Sequence, residues 1–216
     1  MNKRDDSSLK VAEFLLQIKA IKLRPTDPFD WASGWKSPIY CDNRKTLSYP
    51  KIRTFIRQEL VHKISEAYGK PDVIAGVATG GIAQGALVAQ EMGLAFAYVR
   101  PATNHHGMQN QIEGVVEPGQ SVVVIEDLVS TGKSSLNAVQ ALRDAGCEIK
   151  GMAAIFTYGF DISVNQFKAA NCPLITLTDY NTLITQALES NYISVDDLES
   201  LRDWRQNPAD WGQNQP

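Results

Sequence analysis

Short unbroken apolar runs alternate along this chain with stretches whose apolar residues recur every three or four positions. The runs are "DVIAGVA" (72–78), "AFAYVR" (95–100), "SVVVIED" (121–127), "KGMAAIFTY" (150–158) and "PLITLT" (173–178). Runs this short, apolar through most of their length rather than alternating, predict strands covered on both faces. Between them lie predicted helices. Pro50 starts one, capped by Ser48, that carries Ile52, Phe55, Ile56, Leu60 and Ile64 on one face to about Tyr68. "GIAQGALVAQEMG" closes at Gly93 and "KSSLNAVQALRDAG" at Gly146. A helix near 161–170 and two short ones to Asn207 follow, with the spacing of a capping box at Ser194–Asp197, its usual Glu replaced by Asp. At the other end, Ser7 or Ser8 caps a helix through about Ile21, bearing Val11, Phe14, Leu15 and Ile18.

Strands and helices in alternation, interrupted at 101–118, predict an α/β fold: a central, mostly parallel sheet flanked by helices. Ligands bind such sheets beyond the carboxyl ends of their strands. Three loops leave those ends, at Ala78–Gly81, 100–113 and 126–134, and each has an unusual composition. The segment 24–47, rich in Pro, Asp and aromatics, has no helical period; it predicts a structured loop around a short strand at Ile39-Tyr40-Cys41.

Composition narrows the partners. The 216 residues suit one domain, residues 1–216, with an appendage. A net charge of −3 argues against general nucleic-acid binding. Cys41, Cys147 and Cys172 suit neither a disulfide framework nor a zinc site. No apolar core of a signal peptide and no membrane-length run is present, so a reduced cytoplasmic protein without membrane contact is expected.

The chemistry concentrates in "VVVIEDLVSTGKSS" (122–135). Its tail resembles a P-loop, yet Asp127 stands where the first glycine belongs. Free amides at a helix start, with Gly132 and the hydroxyls of Ser130, Thr131 and Ser134, suit a phosphate dianion. The carboxylates of Glu126 and Asp127 suit hydroxyl donors or magnesium instead. A phosphate with vicinal hydroxyls a few ångströms away describes a ribose 5-phosphate.

This segment resembles the phosphoribosyl-diphosphate (PRPP) signature of the type I phosphoribosyltransferases. With "DPFDWASGWKSPIYCDNRKTLSYP", "VIAGVATGGIA", "YVRP…HHGMQNQIEG" and "IFTYGF", the chain is similar from about Lys19 to Asp210 to the orotate phosphoribosyltransferases of Gram-positive bacteria and their relatives. The resemblance implies the type I phosphoribosyltransferase fold, with a small hood subdomain made mainly by residues 1–48 and C-terminal segments. It also implies transfer of the phosphoribosyl group from PRPP to orotate, giving orotidine 5′-monophosphate. PRPP would be held by Thr79 and Gly80, by Arg100 and His106, and by the stretch Glu126, Asp127, Leu128, Val129, Ser130, Thr131, Gly132, Lys133 and Ser134. Glu126, Asp127, Arg100 and His106 would act in catalysis, and Ser130, Ser37, Tyr40 and Arg44 would contact orotate. Mg2+ would be bound mainly through PRPP, without a direct protein ligand. The loop 100–113 would be shared across the interface of a homodimer.

The sequence departs from the family in one place that matters. Relatives usually carry lysines at the positions of Asn104 and of Pro101 or Ala102, and some at Ala32 or Gly80; "RPATNHHGMQNQ" has none. Two activities therefore stand: the orotate enzyme, or a PRPP-binding regulator or scaffold of weakened catalysis. A purine-type transferase is a weaker third, because "SGWKSPIYCDNR" is an orotate-type hood segment.

Overall fold

The computed structural model describes residues 6–30, 34, 36–101 and 111–212. The five apolar runs form strands β5 (Val73–Val77), β6 (Ala95–Val99), β8 (Ser121–Val129), β9 (Glu148–Thr157) and β10 (Leu174–Asp179). With the short β7 (Ile112–Glu113) they make a six-stranded sheet in the order β10-β9-β8-β5-β6-β7. All pairs are parallel except β6 with β7. Alternate residues on one strand go to opposite cores: Val123 and Ile125 to one, Val122 and Val124 to the other. Both faces are covered, which is why the runs show no alternation.

Helices α1 (Asp6–Gln17), α2 (Pro50–Tyr68), α3 (Gly80–Met92), α6 (Tyr180–Glu189) and α7 (Asp197–Gln206) supply the first core, through residues such as Leu15, Ile56, Val88, Leu183 and Trp204. Helices α4 (Lys133–Asp144) and α5 (Asp161–Ala169) supply the second, through Val139, Leu142 and Phe167. Trp204 is fully buried against the rings of Tyr158, Phe160 and Tyr180. Each fully buried Leu, Ile or Phe contributes about 1.5–3 kcal/mol relative to exposure.

The ends of several elements differ from expectation. Ser7 and Ser8 lie within α1, which already includes Asp6, so neither is its cap. The helix stops at Gln17, because Lys19 takes a left-handed conformation (φ 54), and Ile21 begins β1 (Ile21–Leu23). Strand β1 pairs antiparallel with β4 (Ile39–Cys41), and β2 (Phe29–Asp30) pairs with β3 (Lys36–Ser37). A 3-10 helix over Asn43–Ser48 absorbs Ser48, so Tyr49 precedes α2 and makes no side-chain cap bond; Pro50 starts the helix as expected. Gly93 and Gly146 close their helices in the left-handed region. The Asp197 carboxylate accepts from the Ser194 amide and hydroxyl, both at 2.8 Å, one turn ahead of α7. Among the described residues no helix is long and apolar enough to cross a membrane.

Candidate functional site

The residues expected to form a site gather where β5, β6 and β8 end. A cavity of about 190 Å³ there is lined by Ala78 after β5, Arg100 and Pro101 after β6, and Ser134 at the start of α4. The three loops singled out in the sequence therefore converge. A larger cavity, about 500 Å³ between α5 and β10, holds none of the expected site residues.

Close backbone approach draws these loops together. A Cβ on Gly81 would overlap the Ile125 carbonyl of β8, and one on Gly80 would overlap the Asp127 carboxylate. Two glycines at the head of α3 thus let that helix sit directly on the end of β8. Thr79 precedes α3, is exposed, and follows a cis Ala78–Thr79 peptide. On the far side of β8, Gly132 turns the chain into α4 at φ 85, where an added Cβ would press on the Phe167 ring. A residue with a side chain there would meet both that ring and an unfavourable left-handed conformation. Lys133 and Ser134 are exposed in the first turn of α4, and Ser130 and Thr131 are half-buried ahead of it.

The two acids, one residue apart on β8, behave differently. Glu126 is 5% exposed. Its carboxylate accepts from the Ser135 hydroxyl and from the Asp127 amide, both at 3.0 Å. Burial, and then the Asp127 charge, push its pKa up to about 8. Asp127 is half-buried; burial raises its pKa too, while a hydrogen bond with Glu126 and the Arg44 charge work against that rise. Burial and the charge of each neighbour thus disfavour ionising both acids together, which eases their standing beside a phosphate turn. Ser135, just past the expected site residues, fixes Glu126 to α4.

The remaining expected residues fall as follows. Leu128 packs on the first core and Val129 is fully buried in the second, so their side chains serve the two cores. The Val129 carbonyl is itself taken by Thr157 and Tyr158. Arg100 is half-exposed and ion-paired with Glu113 at 3.1 Å. Tyr40 is 40% exposed, its ring 5.7 Å from that of Phe29. Arg44 pairs with Asp42 at 2.7 Å. Ser37 is fully buried, its hydroxyl donating to the Ile39 carbonyl and accepting from the Ile39 amide. In this arrangement it shapes the β3–β4 turn. Ala102, Asn104, His105 and His106 lie outside the described residues.

The model of the phosphoribosyl transferase domain family matches residues 48–187. An orotate phosphoribosyltransferase of Porphyromonas gingivalis is 55% identical over 202 residues, covering 94% of this chain and 96% of its own. That of Listeria innocua is 53% identical over 203 residues, covering 94% and 97%. The chain belongs to the orotate phosphoribosyltransferase family. Among solved structures, the orotate phosphoribosyltransferase of Aeropyrum pernix superposes with a TM-score of 0.75 at 23% identity, over 85% of this chain and 99% of that one. An orotate phosphoribosyltransferase is an enzyme of pyrimidine biosynthesis that transfers the phosphoribosyl group of PRPP to orotate. Identity above half over nearly the whole length favours that activity over a weakened PRPP-binding regulator.

Proposed function

We propose that phosphoribosyl transfer takes place at the junction of the loops after β5, β6 and β8, with Asp127 at its centre. The observation that carries this is the position of the Asp127 carboxylate, directly against the backbone of Gly80 and three residues ahead of the hydroxyl-rich turn at Ser130–Ser134. The free amides at the start of α4, with Ser130, Thr131 and Ser134, bind the 5-phosphate. Asp127 accepts hydrogen bonds from the ribose hydroxyls. Glu126, bonded inward to Ser135, holds the turn and strand in register. Thr79 and Gly80 hold the diphosphate through their amides, and Arg100 adds charge once it exchanges Glu113 for the ligand.

Orotate lies under a hood built from about residues 1–48 and C-terminal segments, stacked on Tyr40 with Arg44 near its charged edge and Ser130 beneath it. Ser37 acts through the turn it holds. As the bond from C1 of the ribose to diphosphate lengthens, Asp127 and the fixed amides keep the ring in place, and the orotate nitrogen bonds to the opposite face of C1. No side chain needs to form a covalent intermediate. Magnesium keeps several waters and takes few protein carboxylates. With Glu126 engaged by Ser135 and Asp127 given to the ribose hydroxyls, the ligands of an ion would fall to PRPP and water. The residues fit magnesium bound in that way. When bound, it neutralises diphosphate charge. The enzyme is cytoplasmic, and residues 100–113, with His106, cover PRPP across a homodimer.

The experiment is release of diphosphate from PRPP with orotate and with purine bases. Release with orotate alone is expected. Release with a purine base, or binding of PRPP without turnover on any base, would contradict the proposal.

A further inference from the structure

Asn43 is 1% exposed and opens the 3-10 helix that follows β4. Its side-chain amide donates to the backbone carbonyl of Asp127 at 2.6 Å, bridging 84 residues of sequence. Its side-chain oxygen accepts from the Cys41 thiol at 3.2 Å. With a donor on one side and an acceptor on the other, the amide has one orientation that satisfies both. The ladder between β5 and β8 ends at the Gly76–Ile125 pair, so no strand continues beside Asp127 on that flank. The Asn43 amide supplies a backbone-like donor there.

The contact extends to the other loops of the site. The Asn43 carbonyl accepts from the Thr46 hydroxyl at 2.6 Å, and that hydroxyl accepts from the side-chain amide of Gln84 at 3.1 Å. Gln84 is buried one turn into α3, the helix whose head carries Gly80. Arg44, next in sequence, places its charge within reach of Asp127.

We propose that Asn43 is a positioning residue for the transfer reaction. It fixes the end of β8, and so the aim of the Asp127 carboxylate, from the segment that also carries Tyr40 and Arg44. The base-covering segment, the ribose-holding acid and the diphosphate loop thereby keep one relative placement. This rests on the roles proposed above for Asp127 and the hood segment.

The test is a double-mutant cycle. Asn43→Ala, and Asn43→Leu as a variant that fills the space without donating, are made in the native and the Asp127→Asn backgrounds. Circular dichroism and thermal unfolding establish the folded fraction, and PRPP binding and steady-state kinetics are measured per folded molecule. In the native background, either variant should raise the PRPP KM tenfold or more, with a smaller change in kcat. In the Asp127→Asn background the same substitutions should change PRPP affinity by less than twofold, because the group through which Asn43 acts is already lost. An equal loss in both backgrounds, or a lowered unfolding temperature with unchanged KM, would overturn the proposal and leave Asn43 a purely structural residue. If Asp127→Asn alone leaves PRPP affinity unchanged, the ribose role of Asp127 fails instead; a tenfold KM effect of Asn43 would then contradict its acting through Asp127.

Discussion

The Asp127 carboxylate lies directly against the backbone of Gly80, so that a single added methyl group at Gly80 would overlap both its oxygens. The loop assigned to the diphosphate and the acid assigned to the ribose thus share one boundary. Gly80→Ala must displace one of them. Overpacking of this kind costs about 1–3 kcal/mol, and the PRPP KM should rise roughly tenfold for each ~1.4 kcal/mol lost in binding. Kinetics with thermal unfolding check this; an unchanged KM would mean that the acid does not need its present position. A lysine at Gly80 would likewise first have to move Asp127.

The buried acid pair makes stability depend on pH. The Glu126 pKa rises from 4.5 to about 8 on folding, because of burial and the Asp127 charge. The native state therefore binds more protons than the unfolded chain between those values. Stability should fall as pH rises through that window, and be highest near its acid end. Asp127, also raised by burial, adds in the same direction. Glu126→Gln should flatten the slope of unfolding temperature against pH between about 5 and 8 while keeping an acceptor for Ser135. An equally steep slope in that variant would show that Glu126 ionises freely in the native protein.

Much of this arrangement was legible in the chain, and the misses have physical reasons. The buried strands announced themselves because both faces are covered, as Val122–Ile125 show. Reading β8 as ending at Asp127 took two acids for the edge of a loop. The strand runs on because Leu128 and Val129 still pair with Phe156 and Thr157 of β9. Strands of two or three residues, such as β1 and β7, are too short to show a period. The proposed site is a local motif through Ser134, whereas nothing local marks Asn43: its proposed role depends on a bond to Asp127 that no local pattern encodes.

Arg100 offers a test of the dimer. If residues 100–113 act across an interface, Arg100→Ala and Asp127→Asn proteins, each inactive alone, should recover activity on mixing as subunits exchange. A random mixture of two subunits gives about half hybrid dimers, each with one intact site. Recovered activity after verified exchange is the expected outcome; none would place both residues in one subunit's site.

The lysine-free stretch 101–113 bears on turnover more than on binding. A cation that meets the diphosphate only as it departs favours the transition state over the ground state. Asn104→Lys should raise kcat roughly tenfold, equivalent to about 1.4 kcal/mol of barrier, with little change in the PRPP KM. If His106 already supplies that charge, His106→Ala should lower kcat. A native kcat equal to that of Asn104→Lys, and unchanged by His106→Ala, would show that no loop cation is required.

The measurement closest to the central claim is calorimetric titration of PRPP into the native protein and into Asp127→Asn, each verified as folded. Loss of a charged acceptor for a ribose hydroxyl should weaken binding by about 1.5–3 kcal/mol, with unfolding temperature little changed. Equal affinity in the two proteins would contradict the placement of Asp127 at the centre of the site.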